Sequence, residues 1–167
     1  MNGTTAIIAG TSLIFAITAI LSSRSTARKN NSLSLLMELK QDEKFYSTLR
    51  TIQDMVNKND IRIDELAALN IEDQRQRESA QSIRYLLNLL ESISIGIKHN
   101  IYDEASIKDS ICSILTQAFD QTKPFIDRTR SMHGKDTYYM EFERLAKKWK
   151  KKPIKSESEK KWWQKFS

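Results

Sequence analysis

The sequence predicts an all-α protein: a single N-terminal transmembrane helix followed by a small helical bundle and a basic C-terminal tail. Three observations carry that expectation. Only four Gly and two Pro interrupt 167 residues, and Leu, Ile, Lys, Glu, Gln and Ser dominate, so long helices are favoured over a many-turned sheet. Apolar residues recur at helical spacing through most of the chain. The first charged side chain is Arg24, and the stretch before it is largely apolar.

The opening run comes first. From Ala6 to Leu21, twelve of sixteen residues are apolar. That is long for the apolar region of an export signal, and "MNGTT" lacks the basic start such a signal carries, although Ser25 and Ala27 leave a cleavage site conceivable. Taken as a helix, Thr4 to Ser23 spans about 30 Å at ~1.5 Å per residue, the thickness of a bilayer's hydrocarbon core. Arg24, Arg28 and Lys29 follow with no acidic residue before Glu38. The positive-inside rule then places the N-terminus outside and the body in the cytoplasm. The alternative, a core helix apolar all round, would need a larger body to cover it. The expected division is therefore an anchor with its basic flank at 1–29, a cytoplasmic helical domain at 30–152 and a Lys/Trp-rich tail at 153–167.

Beyond the anchor, "SLSLLMELKQDEKFYSTLRTIQDMVNK" reads as one amphipathic helix with Asn30, Asn31 and Ser32 as starting caps and a stripe of Leu35, Leu39, Tyr46, Leu49, Ile52 and Val56. A short helical piece is expected around Asp64 to Leu69. Gln74 to Lys98 carries a second long stripe at Ile83, Leu87, Leu90, Ser94 and Ile97, with Asn100 as its stop. Asp103 caps the next helix, whose stripe is Ile107, Ile111, Leu115 or Ile114, Ala118 and Phe125, with a kink or end expected at Pro124. A final helix through "DTYYMEFERLAKKWKKK" puts Tyr139, Phe142, Leu145, Ala146 and Trp149 on one side, and Pro153 ends it. Gly96 interrupts an apolar helical run, which suggests a close approach by another helix. The single cysteine, Cys112, falls in an apolar pattern as a small buried hydrophobe, and nothing calls for an oxidising compartment.

"YLLNLLESISIGIKHNIYDEASI", "QAFDQTKPFIDRTR" and "YYMEFERLAKKW" resemble the helical domain of an uncharacterised family of small bacterial and prophage-encoded proteins, many with one N-terminal membrane helix. The resemblance covers Tyr85 to Trp149, with Gly96 in "IGI", the "IYDE" turn and the closing "FERLAKKW" as its most specific elements. It implies a helical domain tethered to the bacterial inner membrane, in bacteria or their phages. It brings no catalytic residues with it, and the ending after Trp149 lies outside its pattern.

Signatures of chemistry are not found. His99 and His133 are far apart, and there is no Cys-Cys pair, His-Glu-x-x-His spacing or Gly-rich phosphate loop. Neither an enzyme, a cofactor nor a metal is expected. Glu91 with Arg84 or Arg128 reads as an ion pair or hydrogen-bonded carboxylate fixing helix register rather than a catalytic pair. The tail is more distinctive. Lys147 to Ser167 holds nine lysines and two glutamates, a local charge of +7 against a chain total of +6, so everything before it sums to −1.

Candidate lipid or partner contacts are therefore Lys147, Lys148, Lys150, Lys151, Lys152, Lys160, Lys161, Trp162, Trp163 and Phe166. Aromatic residues among lysines suit an anionic headgroup interface; a merely solvated tail is the plain alternative. Nucleic acid is the weaker partner, since the tail has no Arg or folded stacking platform. The overall expectation is a membrane-tethered binding or scaffolding module with the lipid bilayer and an unknown protein as partners, interfering with phage infection by analogy with its prophage kin. The competing expectation is a self-associating lysis or pore-forming effector, on the small residues Ala6 and Gly10, and Ala9, Ser12, Ala16 and Ala19.

Overall fold

The computed structural model describes residues 3–58, 62–68 and 70–154, with side chains from residue 16 onward. Among these residues the structure is all-α: α1 (Gly3–Gln41), α2 (Glu43–Lys58), α3 (Gln74–Lys98), α4 (Glu104–His133) and α5 (Met140–Lys151), with a 3-10 turn at Glu65–Ala67 and no strand. The expected tail contacts Lys160, Lys161, Trp162, Trp163 and Phe166 lie outside the described residues.

The long α1 departs from expectation. Asn30, Asn31 and Ser32 start no helix; they lie inside a single 39-residue helix that carries the apolar run into the bundle. The break comes instead at Asp42, whose Oδ1 accepts the Phe45 N–H at 3.0 Å and so caps α2. Restarting there rotates the buried face. Phe45, Thr48, Ile52 and Met55 point inward, whereas the expected Tyr46 and Val56 are 38% and 42% exposed. Among the described residues no helix is long and apolar enough to cross a membrane. Much of the expected span, Thr4 to Ser23, has its side chains outside the described set, and residues 16–24 are exposed.

Elsewhere the apolar stripes pack as their spacing dictates. Ile83, Leu87, Leu90, Ser94 and Ile97 of α3 are all buried, as are Ile107, Ile111, Leu115, Ala118 and Phe125 of α4, with Ile114 only partly covered. Phe142, Leu145, Ala146 and Trp149 complete the core from α5, and Cys112 is buried. Pro124 neither ends α4 nor prevents its continuing to His133. Its missing N–H removes the usual partner of the Asp120 carbonyl, and both residues lie on the exposed face.

The α3–α4 turn is fixed by backbone geometry. Asn100 adopts a left-handed conformation with φ 57°. The Ile101 N–H reaches back to the Gly96 carbonyl at 2.9 Å and the Asn100 N–H to the Ile97 carbonyl at 3.1 Å, the paired bonds of a Schellman ending. The close approach at Gly96 is real, but its neighbour is the Tyr102 ring of this turn and not another helix. A Cβ on Gly96 would lie 2.3 Å from Tyr102 Cε2.

Candidate functional site

Two seams bring together the residues that sequence reasoning singled out. The first joins α1 to the α3–α4 turn. Ser32, fully buried, donates to the Arg28 carbonyl at 2.9 Å and accepts the Asp103 N–H at 2.7 Å. Asn31 Nδ2 donates to the Ile101 carbonyl and Arg28 Nη1 to Asn100 Oδ1, both at 3.3 Å. Arg28 Nε is buried there without a hydrogen-bond partner. Of the three expected topology cations, Arg28 is thus built into the fold, whereas Arg24 and Lys29 are exposed.

Asp103 links this seam to α4. Its carboxylate accepts from Ser106 Oγ at 2.7 Å and the Ser106 N–H at 3.0 Å, capping the helix. Those two bonds, helped by the positive charges of Lys29 and Arg28, hold its carboxyl below the usual range against a smaller opposing effect of burial.

The second seam places α5. Its first residues lack a cap of their own, because Tyr139 sits in a left-handed conformation and supplies no side-chain bond. Glu91 of α3 does that work, accepting the Phe142 N–H at 2.7 Å and the Glu141 N–H at 3.3 Å. Glu91 is a register-fixing carboxylate as expected, but it binds a helix N-terminus. Arg84 instead donates to the Ala68 carbonyl at 3.4 Å, with its guanidinium over the Phe125 ring. Arg130 clamps the turn before α5: Nε and Nη2 hold the Tyr138 carbonyl at 2.9 and 2.6 Å, and Nη1 meets Glu143 at 2.6 Å.

Salt bridges then occupy the basic helix. Lys147 pairs with Glu143 at 2.6 Å, Lys148 with Glu104 at 2.7 Å, and Lys150 with Asp120. Lys150 also lies over the Phe119 ring, 5.4 Å from its centroid. Lys152 offers its carbonyl to Lys108 Nζ. Three of the lysines expected to contact lipid or a partner are therefore paired within the fold, although these three, like Lys151 and Lys152, are exposed. Burial pushes the Glu104 carboxyl up, but its bonds to Lys148 and Trp149 outweigh that and leave it below the ordinary value. The Lys98 hydrogen bond does the same for Glu141, opposed by burial and reinforced by Arg144.

Between these seams, Ser94, Lys98, Asn100, Glu104, Glu141 and Lys148 line a groove of about 300 Å³. A second groove of about 250 Å³ is more apolar, lined by Leu33, Met37, Phe45, Tyr46, Ile111 and Ile114. His99 ends α3 and His133 ends α4, the latter tilted against Tyr138 at 5.4 Å. No cluster of three or more His, Cys, Asp or Glu that would hold a metal occurs among the described residues. Most of the polar groups named above are engaged in capping and ion pairing.

A family model described as a domain of unknown function, DUF4760, matches residues 6–149. The chain belongs to that family. The DUF4760 match is wider than the resemblance from Tyr85 to Trp149, since it takes in the opening apolar run and all of α1 from Ala6. It stops at Trp149, where the α5 core residues stop and the Lys-rich ending begins. No curated protein and no solved structure matches the chain.

Proposed function

We propose that this DUF4760 protein is a membrane-tethered helical binding or scaffolding module, crossing the bacterial inner membrane once with its N-terminus outside and its bundle in the cytoplasm. The observation that carries the reading is the continuity of α1: the uncharged run, its cationic flank and the first buried residues of the bundle lie in one 39-residue helix. Exposed Ile17, Ile20 and Leu21, at 48%, 53% and 60%, support burial of this part of α1 in lipid. The use of the polar clusters as structural clamps supports binding over catalysis. Interference with phage infection from the inner face of the membrane is the biological role this placement suits, by analogy with prophage-encoded kin.

Alkaline extraction of membranes tests the anchor. The full chain is expected to stay in the pellet, and deletion of Met1 to Ser23 to release it. A mature N-terminus near Thr26 or Arg28, or cleavage of the body by protease added from outside, refutes the topology. A second reading, self-association through α1, is supported by Leu33 and Met37, 60% and 57% exposed; crosslinking of the full chain in membranes tests it.

A further inference from the structure

We propose that the end of the bundle formed by the α3–α4 turn rests on the anionic surface of the membrane, with Ile101 as its contact point. This rests on the reading of Thr4 to Ser23 as a membrane span and adds to it a fixed orientation of the bundle.

The direction of α1 supplies the geometry. Along its length Arg28 meets Asn100, Ser32 meets Asp103, and Leu36 and Met37 share a groove with Ser110 and Ile111. The two helices α1 and α4 therefore run the same way, and the N-terminal half of α1 projects past the first turn of α4. The α3–α4 turn is the part of the bundle nearest the span. Arg28 and Asn31 lie about 8 and about 12 Å beyond Ser23 at ~1.5 Å rise per residue. A headgroup layer is about 5–7 Å thick on each side of the hydrocarbon core. The turn thus stands just outside that layer, about 1 to 7 Å beyond it, and a helix tilt of about 20° brings one side of it closer.

What the turn presents fits that surface. Ile101 is 49% exposed at its tip, and Arg24 and Lys29 are exposed on the adjoining α1. An exposed apolar residue beside cations of the neighbouring helix, with the nearby Asp103 and Glu104 carboxylates already bonded to Ser106 and Lys148, suits an anionic interface. The C-terminal end of α5 lies at the same end of the bundle: Lys148 and Trp149 bind Glu104, the first residue of α4, and Lys152 meets Lys108.

The test uses the full chain reconstituted into phosphatidylcholine vesicles with or without phosphatidylglycerol. With Cys112→Ser as background, a single fluorophore is attached at Ile101→Cys, at His99→Cys as a second reporter of the turn, or at Lys135→Cys just beyond the far end of α4. That helix is about 45 Å long at ~1.5 Å per residue, so the last site is remote from the turn. The expected result is quenching of the turn labels by brominated lipid and their protection from aqueous acrylamide, stronger with phosphatidylglycerol and weaker at high salt, with the Lys135 site unaffected. Turn and remote labels equally open to acrylamide, in a chain that does enter vesicles, overturn the orientation and leave the anchor standing. A chain that does not enter vesicles overturns both.

Discussion

Replacing Gly96 with Ala is the sharpest probe of the packing that fixes the α3–α4 turn. In an ordinary helix interior the change stabilises by about 1 kcal/mol, because Gly loses more backbone entropy on folding. Here the added methyl would stand 2.3 Å from Tyr102 Cε2 and 2.4 Å from Cδ2, well inside contact distance and against a stiff ring. Moving that ring disturbs a turn whose backbone is pinned to Gly96 itself through the Ile101 N–H. Overpacking of this kind costs about 1–3 kcal/mol, so Gly96→Ala should destabilise by about 1 kcal/mol net. Tyr102→Ala removes the obstacle. In that background the same Gly96→Ala change should stabilise by up to about 1 kcal/mol, reversing its sign and giving a coupling of about 2 kcal/mol between the two sites. Urea unfolding of the four chains in detergent, followed by circular dichroism, reads the cycle. Additivity within about 0.5 kcal/mol would refute the reasoning, since distant independent sites behave that way.

Three further outcomes follow from the clamps. Glu91→Ala should cost about 2 kcal/mol, the range of a hydrogen bond to a charged group, and Glu91→Gln less; hydrogen exchange should localise the loss to the start of α5, and uniform protection there would count against the cap. Ser32→Ala removes the acceptor for the Asp103 N–H and should cost about 1 kcal/mol, with faster exchange at that amide as the specific sign. Stability should fall at both ends of the pH scale. Glu141, Glu143 and Glu104 are held below their ordinary values, so the stability they contribute is present above the unfolded carboxylate range and lost as pH falls through the depressed folded values. Tyr85, raised from 10.0 to about 12 by burial and its bond to Asp42, contributes stability present below pH 10 and lost as pH rises toward 12; Tyr85→Phe should flatten that alkaline limb.

The legible parts of this fold are those where one stripe meets one core. The bounds of α3 and the Asp103 cap follow directly from apolar spacing and a capping residue. The break at Asp42 was harder, because Leu39 and Tyr46 are seven residues apart and keep helical phase across it. The signal was local: an Asp followed at once by Glu43, the pattern of a helix start. Glu91 was legible as a structural carboxylate but not in its partner, because a backbone N–H at another helix's start leaves no side-chain mark. The ion pairs of Lys148 and Lys150 were hidden for a related reason. A run of lysines reads as a free basic patch until the fold brings Glu104 and Asp120, distant in sequence, beside it.

One consequence of the α1 seam concerns how anchor and bundle depend on each other. A flexible linker would let the bundle face the membrane in any orientation, and the basic flank would serve insertion alone. In this chain the flank and the docking surface are the same helical turns: Arg24 and Lys29 are exposed while Arg28, between them, bonds to Asn100. The helix then delivers Ser32 and Leu39 into buried sites. Cutting before Arg24 removes the apolar run and leaves every seam contact described above, whereas cutting at Leu33 takes away Ser32 and with it the acceptor of the Asp103 N–H. Because a lost hydrogen bond costs about 1 kcal/mol, the bundle needs α1 from Ser32 onward for its own stability. On the proposed reading of α1 as a membrane span, Arg28 cannot be moved without losing its bond to Asn100, and the bundle follows the tilt and rotation of α1.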